Sequence, residues 1–218
     1  MLKKIGMMVA SICLALSCMG GMSETKRGTF DGIEWLYTVD YEAGRVVLEK
    51  AILLTSESYY MEVNINEMLI EIFRANGYGV DYRNFKECDV LIGASAFEEN
   101  DYLSQIRIKV SSLQDAPTVN LSIGERAFKG CCNFNTFIID GEKEKVFIRD
   151  IGASAFEECA TGEECWGFSL GVDGGEYDVF SNITNIGDRA FFRIGCPGYN
   201  LGGLTFPETL VSIGKEAF

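Results

Sequence analysis

Of the residue types that most often act in catalysis, this chain is rich in carboxylates and cysteines but has no histidine. The chain has no His, 32 Asp and Glu residues and eight Cys. Without His, the commonest general base is missing, and every catalytic triad that uses it is excluded. The carboxylate pairs 98–99, 157–158 and 163–164 lie just after turns that contain a Phe and are interpreted as solvated charge. We therefore predict no catalytic residue, and a glycosidase-like carboxylate pair is only a minor alternative.

Six cysteines remain once Cys13 and Cys18 are assigned to an N-terminal export segment. An even number is compatible with disulfides in an exported protein. Cys131 and Cys159, however, each follow a Phe by three residues, and this shared register indicates small buried thiols. If a bridge forms, Cys159 with Cys165 is the favoured pair. The oxidation state is left open for all six residues, namely Cys88, Cys131, Cys132, Cys159, Cys165 and Cys196.

The sequence predicts neither a metal nor a cofactor. Asp173, Glu176 and Asp178 surround two glycines and offer oxygen ligands for calcium, but an acidic surface turn is the simpler interpretation. Paired C-x-x-C sequences, which would indicate zinc, do not occur. The Gly-rich segments lack the Lys of a phosphate-binding loop and are interpreted as turns.

One six-residue phrase, Ile-Gly-x-x-Ala-Phe, occurs five times and predicts the architecture. The copies occupy residues 92–97, 123–128, 151–156, 186–191 and 213–218. Repetition at intervals of this size is the signature of solenoids and propellers. The unequal intervals favour a solenoid, because each coil contacts only its neighbours and an insertion can leave the stack as a loop.

Each position of the phrase has an expected structural role. The Ile ends a short strand, the Gly permits a sharp bend or a positive φ where a Cβ would collide, and the Ala allows close contact. The Phe rings are expected to stack as an interior ladder, and the chain then continues in a short helical turn. Short runs before the copies, at 119–121, 147–149, 183–185 and 204–206, are predicted to form parallel strands.

The last unit, residues 204–218, together with Phe128-Lys-Gly-Cys131 and Phe156-Glu-Glu-Cys159, resembles the BspA-type leucine-rich repeat. The resemblance covers residues 84–218, although Asn100 and Ile194 stand where a Cys is expected. It implies a β-rich α/β solenoid, a right-handed coil of short parallel strands joined by short helical turns. It also implies a bacterial or protist surface protein that adheres to host proteins or cells.

The N-terminus has the features of an export signal. Lys3 and Lys4 precede an apolar stretch, residues 5–16, that is too short to span a membrane. Residues 15–18 resemble a lipobox, so we expect a signal peptide over 1–17, a lipid on Cys18 and a flexible tether over 18–28. Cleavage after Ser17 without lipidation, which gives a secreted protein, is the alternative. The net charge of −13 argues against binding nucleic acid or anionic membrane surfaces.

Residues 29–83 are expected to form a strand-rich cap on the solenoid, which then runs over 84–218. Ile33, Trp35, Tyr37 and Val39 alternate with polar residues and precede a second run at 45–48, as in a β-hairpin. Residues 68–73 fit a strand or a helix, and we favour a strand. At the other end, Phe218 completes a copy of the phrase, and we expect further chain beyond it.

These features favour a binding module. We expect an extracellular protein or glycoprotein as its partner, bound through the solenoid face and inserted loops. Four aromatic residues are assigned to the insertions and are candidate ligand contacts, namely Trp166, Phe168, Tyr177 and Tyr199. The alternatives are an architectural envelope component and, less favoured, a subunit of a carbohydrate-active enzyme. The sequence does not identify the ligand or the oligomeric state.

Overall fold

The structure is a computed structural model that describes residues 24–52, 60–75, 82–110, 116–141, 145–162, 168–172, 182–195 and 206–218. The segment expected to be a signal peptide, 1–17, and Cys18 lie outside these residues. The strands and the α-helix are β1 (Lys26–Phe30), β2 (Ile33–Asp40), β3 (Arg45–Ile52), β4 (Tyr60–Asn64), α1 (Ile65–Arg74), β5 (Glu87–Ile92), β6 (Gln105–Val110), β7 (Thr118–Ile123), β8 (Thr136–Gly141), β9 (Val146–Ile151), β10 (Ser169–Val172), β11 (Asn185–Ile186) and β12 (Ser212–Ile213).

Two sheets face each other across the core. The long sheet has the order β1-β2-β3-β5-β7-β9-β11-β12, and the short sheet has the order β10-β8-β6-β4. Pairing is parallel throughout the short sheet and from β3 to β12 in the long sheet, and antiparallel among β1, β2 and β3. A coil consists of one long-sheet strand, a turn and one short-sheet strand. The described residues therefore form a β-rich solenoid-like fold.

The five phrases stack in register, as predicted. Each Ile is the last residue of its strand, and the strands pair Ile to Ile through Ile92, Ile123, Ile151, Ile186 and Ile213. The four interior isoleucines of this column are almost completely buried. The expected parallel strands before the second and third phrases are confirmed as β7 and β9, whereas of the strand expected at 183–185 only Asn185 lies in a strand, β11. The strand expected at residues 204–206 is wrong, because Phe206 is not in a strand and β12 begins at Ser212; the other two residues lie outside the described part.

The expected short helical turns are wrong for the described coils. Within and directly after the phrase the chain makes overlapping four-residue turns, closed by hydrogen bonds such as Ala96 N to Gly93 O and Asn100 N to Phe97 O, and then enters the short sheet. The signal for these strands was present in the sequence, because Ile106, Ile108 and Val110 alternate with polar residues.

The glycine of the phrase is required by contact between coils. A Cβ on Gly152 would lie 2.6 Å from the backbone of Gly124 and Glu125 in the preceding coil. In every copy of the phrase, the residue two positions after the glycine is not itself a glycine and has a positive φ of 55–56°. These residues are Ser95, Arg126, Ser154, Arg189 and Glu216. The positive φ considered for the glycine is therefore found elsewhere, and close contact between coils, which the sequence analysis assigned to the Ala, is what requires the glycine.

The phenylalanine ladder is confirmed. Neighbouring rings of Phe97, Phe128, Phe156, Phe191 and Phe218 stack with centroid separations of 5.0 to 5.3 Å. The backbone follows the same repeat, since the N–H groups of the first four of these Phe residues each donate to the Ala carbonyl of the next coil at 2.7 to 2.8 Å. Side-chain packing and backbone hydrogen bonds therefore enforce one register.

The N-terminal segment continues both sheets. The predicted hairpin is confirmed as β2 and β3, and β3 pairs with β5 while β4 pairs with β6. The ring of Trp35 packs edge-on against Phe97 at 5.6 Å. A capping function for this segment and the right-handed sense of the coil stay predictions from the sequence.

The strand favoured at residues 68–73 is wrong, because this segment lies in α1. Asn64 caps the helix by accepting a hydrogen bond from the N–H of Glu67. The helix turns one apolar face to the core, with Ile65, Met68, Leu69, Ile72 and Phe73 buried. Their spacing of three and four residues is helical, and it becomes visible only when Ile65 is included.

Candidate interaction faces

Polar side chains form a hydrogen-bonded network on the outer face of the long sheet. Asn120 on β7 donates from Nδ2 to Glu87 Oε2 at 3.2 Å and to Asp89 Oδ1 at 3.0 Å, both on β5. Arg149 on β9 donates from Nε to Asn120 Oδ1 at 2.9 Å. These side chains point outward because the alternate residues of the same strands are buried. The network therefore joins three neighbouring coils.

A second part of this face is centred on Asp150. Its Oδ1 accepts hydrogen bonds from Thr184 Oγ1 and Asn185 Nδ2, both at 2.7 Å. Asn185 in turn accepts from Ser212 Oγ at 2.8 Å. Fixed amide, hydroxyl and carboxylate groups thus extend over the outer face from β5 to β12. We call this surface the polar face.

The outer face of the short sheet is smaller and carries paired charges. Lys109 pairs with Glu62, and Arg107 Nη1 lies 3.0 Å from Asp140 Oδ2. The hydrogen bond from Lys109, with a second from Tyr60, lowers the pKa of the Glu62 carboxyl. Each pair joins neighbouring strands, so the charges on this face are largely compensated locally.

The turns form a third surface, held together by a clamp around Glu157. This carboxylate is buried and accepts from Lys129 Nζ at 3.1 Å and from Arg189 Nη2 at 2.5 Å, which come from the coils before and after it. Burial alone would raise the pKa of Glu157, but hydrogen bonds from Ser154, Lys129 and Arg189 outweigh it and lower the pKa. The clamp therefore links three coils.

Replacing Glu157 with Gln is expected to destabilise the protein by about 1–2 kcal/mol at neutral pH. The value is modest for a buried pair because the side chains of Lys129 and Arg189 are 31% and 42% exposed and can be hydrated instead. Since the folded-state pKa lies below the ordinary 4.5, the stabilisation is present above that pH and is lost as the pH falls through the folded pKa. Urea denaturation at pH 7 and pH 3 measures both effects.

Glu158 provides the control for this experiment, because it is adjacent, more exposed and paired only with Arg193 at 3.3 Å among the described ion pairs. Glu158→Gln is expected to change the unfolding free energy by less than about 0.5 kcal/mol. A Glu157→Gln protein as stable as the wild type at pH 7 would contradict the clamp.

Thiols form hydrogen bonds between coils inside the stack. Cys131 Sγ donates to Phe97 O, and Cys159 Sγ donates to Phe128 O, both at 2.9 Å. Both thiols are buried, as their register predicted, and Cys165, the expected bridge partner of Cys159, lies outside the described residues. Burial raises the pKa of Cys131 to about 12. Such a thiol is almost entirely protonated at neutral pH and therefore unreactive.

Native protein is expected to leave Cys88 and Cys131 unlabelled by a thiol reagent at pH 8, because burial raises both pKa values to about 12. Cys132 is only partly buried and is expected to react first among these three. Labelling followed by peptide mass spectrometry identifies the modified positions, and unfolded protein gives the maximum signal. Equal labelling rates for Cys131 and Cys132 in native protein would refute the expected protection.

The repeat geometry agrees with a comparison against family models. The model described as BspA type leucine-rich repeat region matches residues 91–165 and 176–218, in six copies. The chain belongs to the BspA-type leucine-rich repeat family. Comparisons with curated proteins and with solved structures gave no match. Leucine-rich repeats generally mediate protein–protein interaction or adhesion and are not typically catalytic.

Of the four candidate ligand-contact residues of this BspA-type repeat chain, the structure describes only Phe168. Phe168 is only 8% exposed and packs against Phe134, Phe156 and Phe191 at 5.3 to 6.4 Å. It is therefore a core residue and not an exposed loop aromatic, because the insertion ends before it. Trp166, Tyr177 and Tyr199 lie outside the described residues, as do Cys165, Cys196 and the acidic segment 173–178.

The coils that the structure describes contain a small apolar cavity. A cavity of about 20 Å³ lies between the sheets and is lined by apolar side chains that include Trp35, Met61 and Phe97. Ligand pockets are an order of magnitude larger. In the part of the chain that the structure describes, His, Cys, Asp and Glu side chains form no group suited to a metal ion. No described helix has the length and apolar character needed to cross a bilayer.

Sequence reasoning missed the polar face. Thr118, Asn120 and Ser122 alternate with buried residues in β7, and this pattern was the available signal. It shows which side chains point outward from one strand. It does not show which of them meet across neighbouring coils.

Proposed function

We propose that the chain is an exported, lipid-anchored interaction module that binds a host or partner protein or glycoprotein through the polar face. The observation that carries this proposal is the fixed hydrogen-bond network over strands β5 to β12. Polar groups held in place before binding lose little conformational freedom when a partner docks. Membership of a repeat family with general binding roles supports the same assignment.

Binding of the purified protein to an array of matrix proteins, mucins and other glycoproteins tests this proposal. We expect at least one array component to bind, and the double variant Asn120→Ala/Arg149→Ala to bind it about tenfold more weakly because the centre of the network is removed. Arg107→Ala, on the opposite sheet, is the control and should bind as the wild type does. Failure of every component to bind would remove support for the proposal.

The anchoring part of the proposal has a separate test. Expression in a diderm bacterium with an alkyne-labelled fatty acid should label the wild-type chain, and Cys18→Ser should abolish the label. Export without labelling of the wild type would instead favour the secreted form.

A further inference from the structure

The β1–β2 hairpin reaches across from the long sheet to the short sheet. The pairing of β2 with β3 shifts by one residue between Leu36 and Tyr37, and such a bulge bends and twists the strands locally. At the hairpin tip, Asp31 and Gly32 have φ angles of +49° and +78°, as in a tight two-residue turn. Asp31 Oδ2 accepts a hydrogen bond at 2.8 Å from the backbone N–H of Asn64, the last residue of β4. Because β4 is an edge strand of the short sheet, the tip is tied to the opposite sheet.

The inner side of the hairpin covers the first ring of the phenylalanine ladder. Trp35 on β2 is 2% exposed and packs edge-on against Phe97, which begins the ladder. Phe30 on β1 and Tyr37 on β2 are buried as well, and their ring centroids are 5.5 Å apart. The hairpin therefore closes the space between the two sheets at this end of the stack.

Two features of Trp35 show that the hairpin fits its seat imperfectly. The indole N–H is buried and has no hydrogen-bond partner among the described residues. Because this donor would bond to water if it were exposed, its burial opposes the closed position. The apolar cavity of about 20 Å³ lies against the same side chain and is lined by residues of both sheets. Side chains that line a cavity lose packing contacts, so the attraction between hairpin and coil is reduced there.

We propose that the β1–β2 hairpin is a lid that opens at its tip, hinged on β3, while the stacked coils stay folded. The hydrogen bond between Asp31 and Asn64 holds the lid closed. Opening hydrates the indole N–H of Trp35 and uncovers Phe97, the end of the ladder. Segments with few stabilising contacts open locally, whereas β5, β7 and β9 are each held by parallel strands on both sides. The lid is separate from the polar face, and the proposed binding does not depend on it.

Hydrogen exchange of the Trp35 indole N–H, followed by NMR on the full chain, tests the lid. The rate is proportional to the fraction of molecules in which the lid is open. The chain has two Trp residues, so Trp166→Phe identifies the signal of Trp35. We expect protection of this N–H to be at least about tenfold weaker than that of the backbone N–H groups of Phe128 and Phe156, and independent of urea at low concentration.

Two substitutions of Asp31 test the hydrogen bond that closes the lid. Asp31→Gly removes the carboxylate and tolerates the positive φ, and it is expected to accelerate the exchange about five- to tenfold. Asp31→Asn keeps an acceptor oxygen and should stay within about twofold of the wild type.

Asp40→Ala is the matched control. Its carboxylate accepts from the backbone N–H groups of Glu42 and Ala43, both at 3.0 Å, in the turn between β2 and β3. These bonds stay intact when the tip opens, so the exchange of the Trp35 indole N–H should change by less than about twofold.

Three results would each disprove the lid. The first is an indole N–H of Trp35 that is protected as strongly as the Phe128 and Phe156 amides and shares their urea dependence. The second is an Asp31→Gly protein with unaltered exchange, and the third is equal acceleration by Asp40→Ala. The first comparison uses the wild-type chain, so it decides the question even if Asp31→Gly does not fold.

Discussion

Replacing Gly152 with Ala is expected to destabilise the protein by about 3–5 kcal/mol, enough to prevent stable folding of many domains. The new Cβ would lie 2.6 Å from backbone atoms of Gly124 and Glu125. Neither can move easily, because these coils are joined by hydrogen bonds such as Gly152 N to Ile123 O at 2.7 Å. Urea denaturation followed by circular dichroism measures the loss.

Gly195 separates this steric effect from the general cost of losing a glycine. Its φ is +82°, and an added Cβ would meet nothing within 4 Å. Gly195→Ala is therefore expected to cost only about 1–2 kcal/mol, the usual penalty for a side chain in the left-handed region. Equal losses for the two variants would show that close contact between coils is not the reason for the glycine column.

Replacing Phe156 with Ala is expected to cost about 3–5 kcal/mol. The ring is fully buried at the centre of the ladder, 5.2 Å from Phe128 and 5.3 Å from Phe191, and Phe168 packs on it from the side at 5.3 Å. A cavity in a stack joined above and below by backbone hydrogen bonds cannot readily collapse. Chemical denaturation monitored by circular dichroism gives the change in unfolding free energy.

Phe218→Ala provides the comparison within the same ladder. This ring stacks on Phe191 at 5.3 Å but is 49% exposed, so its removal is expected to cost about 1–2 kcal/mol. A loss at Phe156 no greater than that at Phe218 would mean that the interior stack does not determine stability.

Much of the fold was predictable because the five copies of the phrase carry the same residues at the same positions. A repeated Ile or Phe must meet its own copy in a stacked coil, so the columns and the buried Cys131 and Cys159 followed from register alone. The hairpin β2–β3 was predictable from alternation over a long run. By contrast, residues 68–73 gave too short a window for a period, and the helical spacing becomes visible only when Ile65 is included.

Features that depend on distances between coils could not be predicted. The sequence analysis assigned the glycine to a sharp bend or a positive φ, and its close contact with the backbone of the neighbouring coil, seen at Gly152, required coordinates. The clamp at Glu157 is similar, because Lys129 and Arg189 are distant in sequence and become neighbours only when their coils stack. An acidic pair after a Phe was interpreted as solvated charge, and the structure buries its first member.

The third coil tolerates extra chain without loss of register. Gly162 N still donates to Cys132 O, and Ser169 still pairs with Thr136, although the second coil reaches the corresponding strand directly after Asn135. The chain between Gly162 and Ser169 is therefore five residues longer than the corresponding part of the second coil, between Phe134 and Thr136. This position is a natural graft point, where a foreign epitope or a ligand-binding peptide inserted by protein engineering should be displayed while the rest of the scaffold keeps its shape.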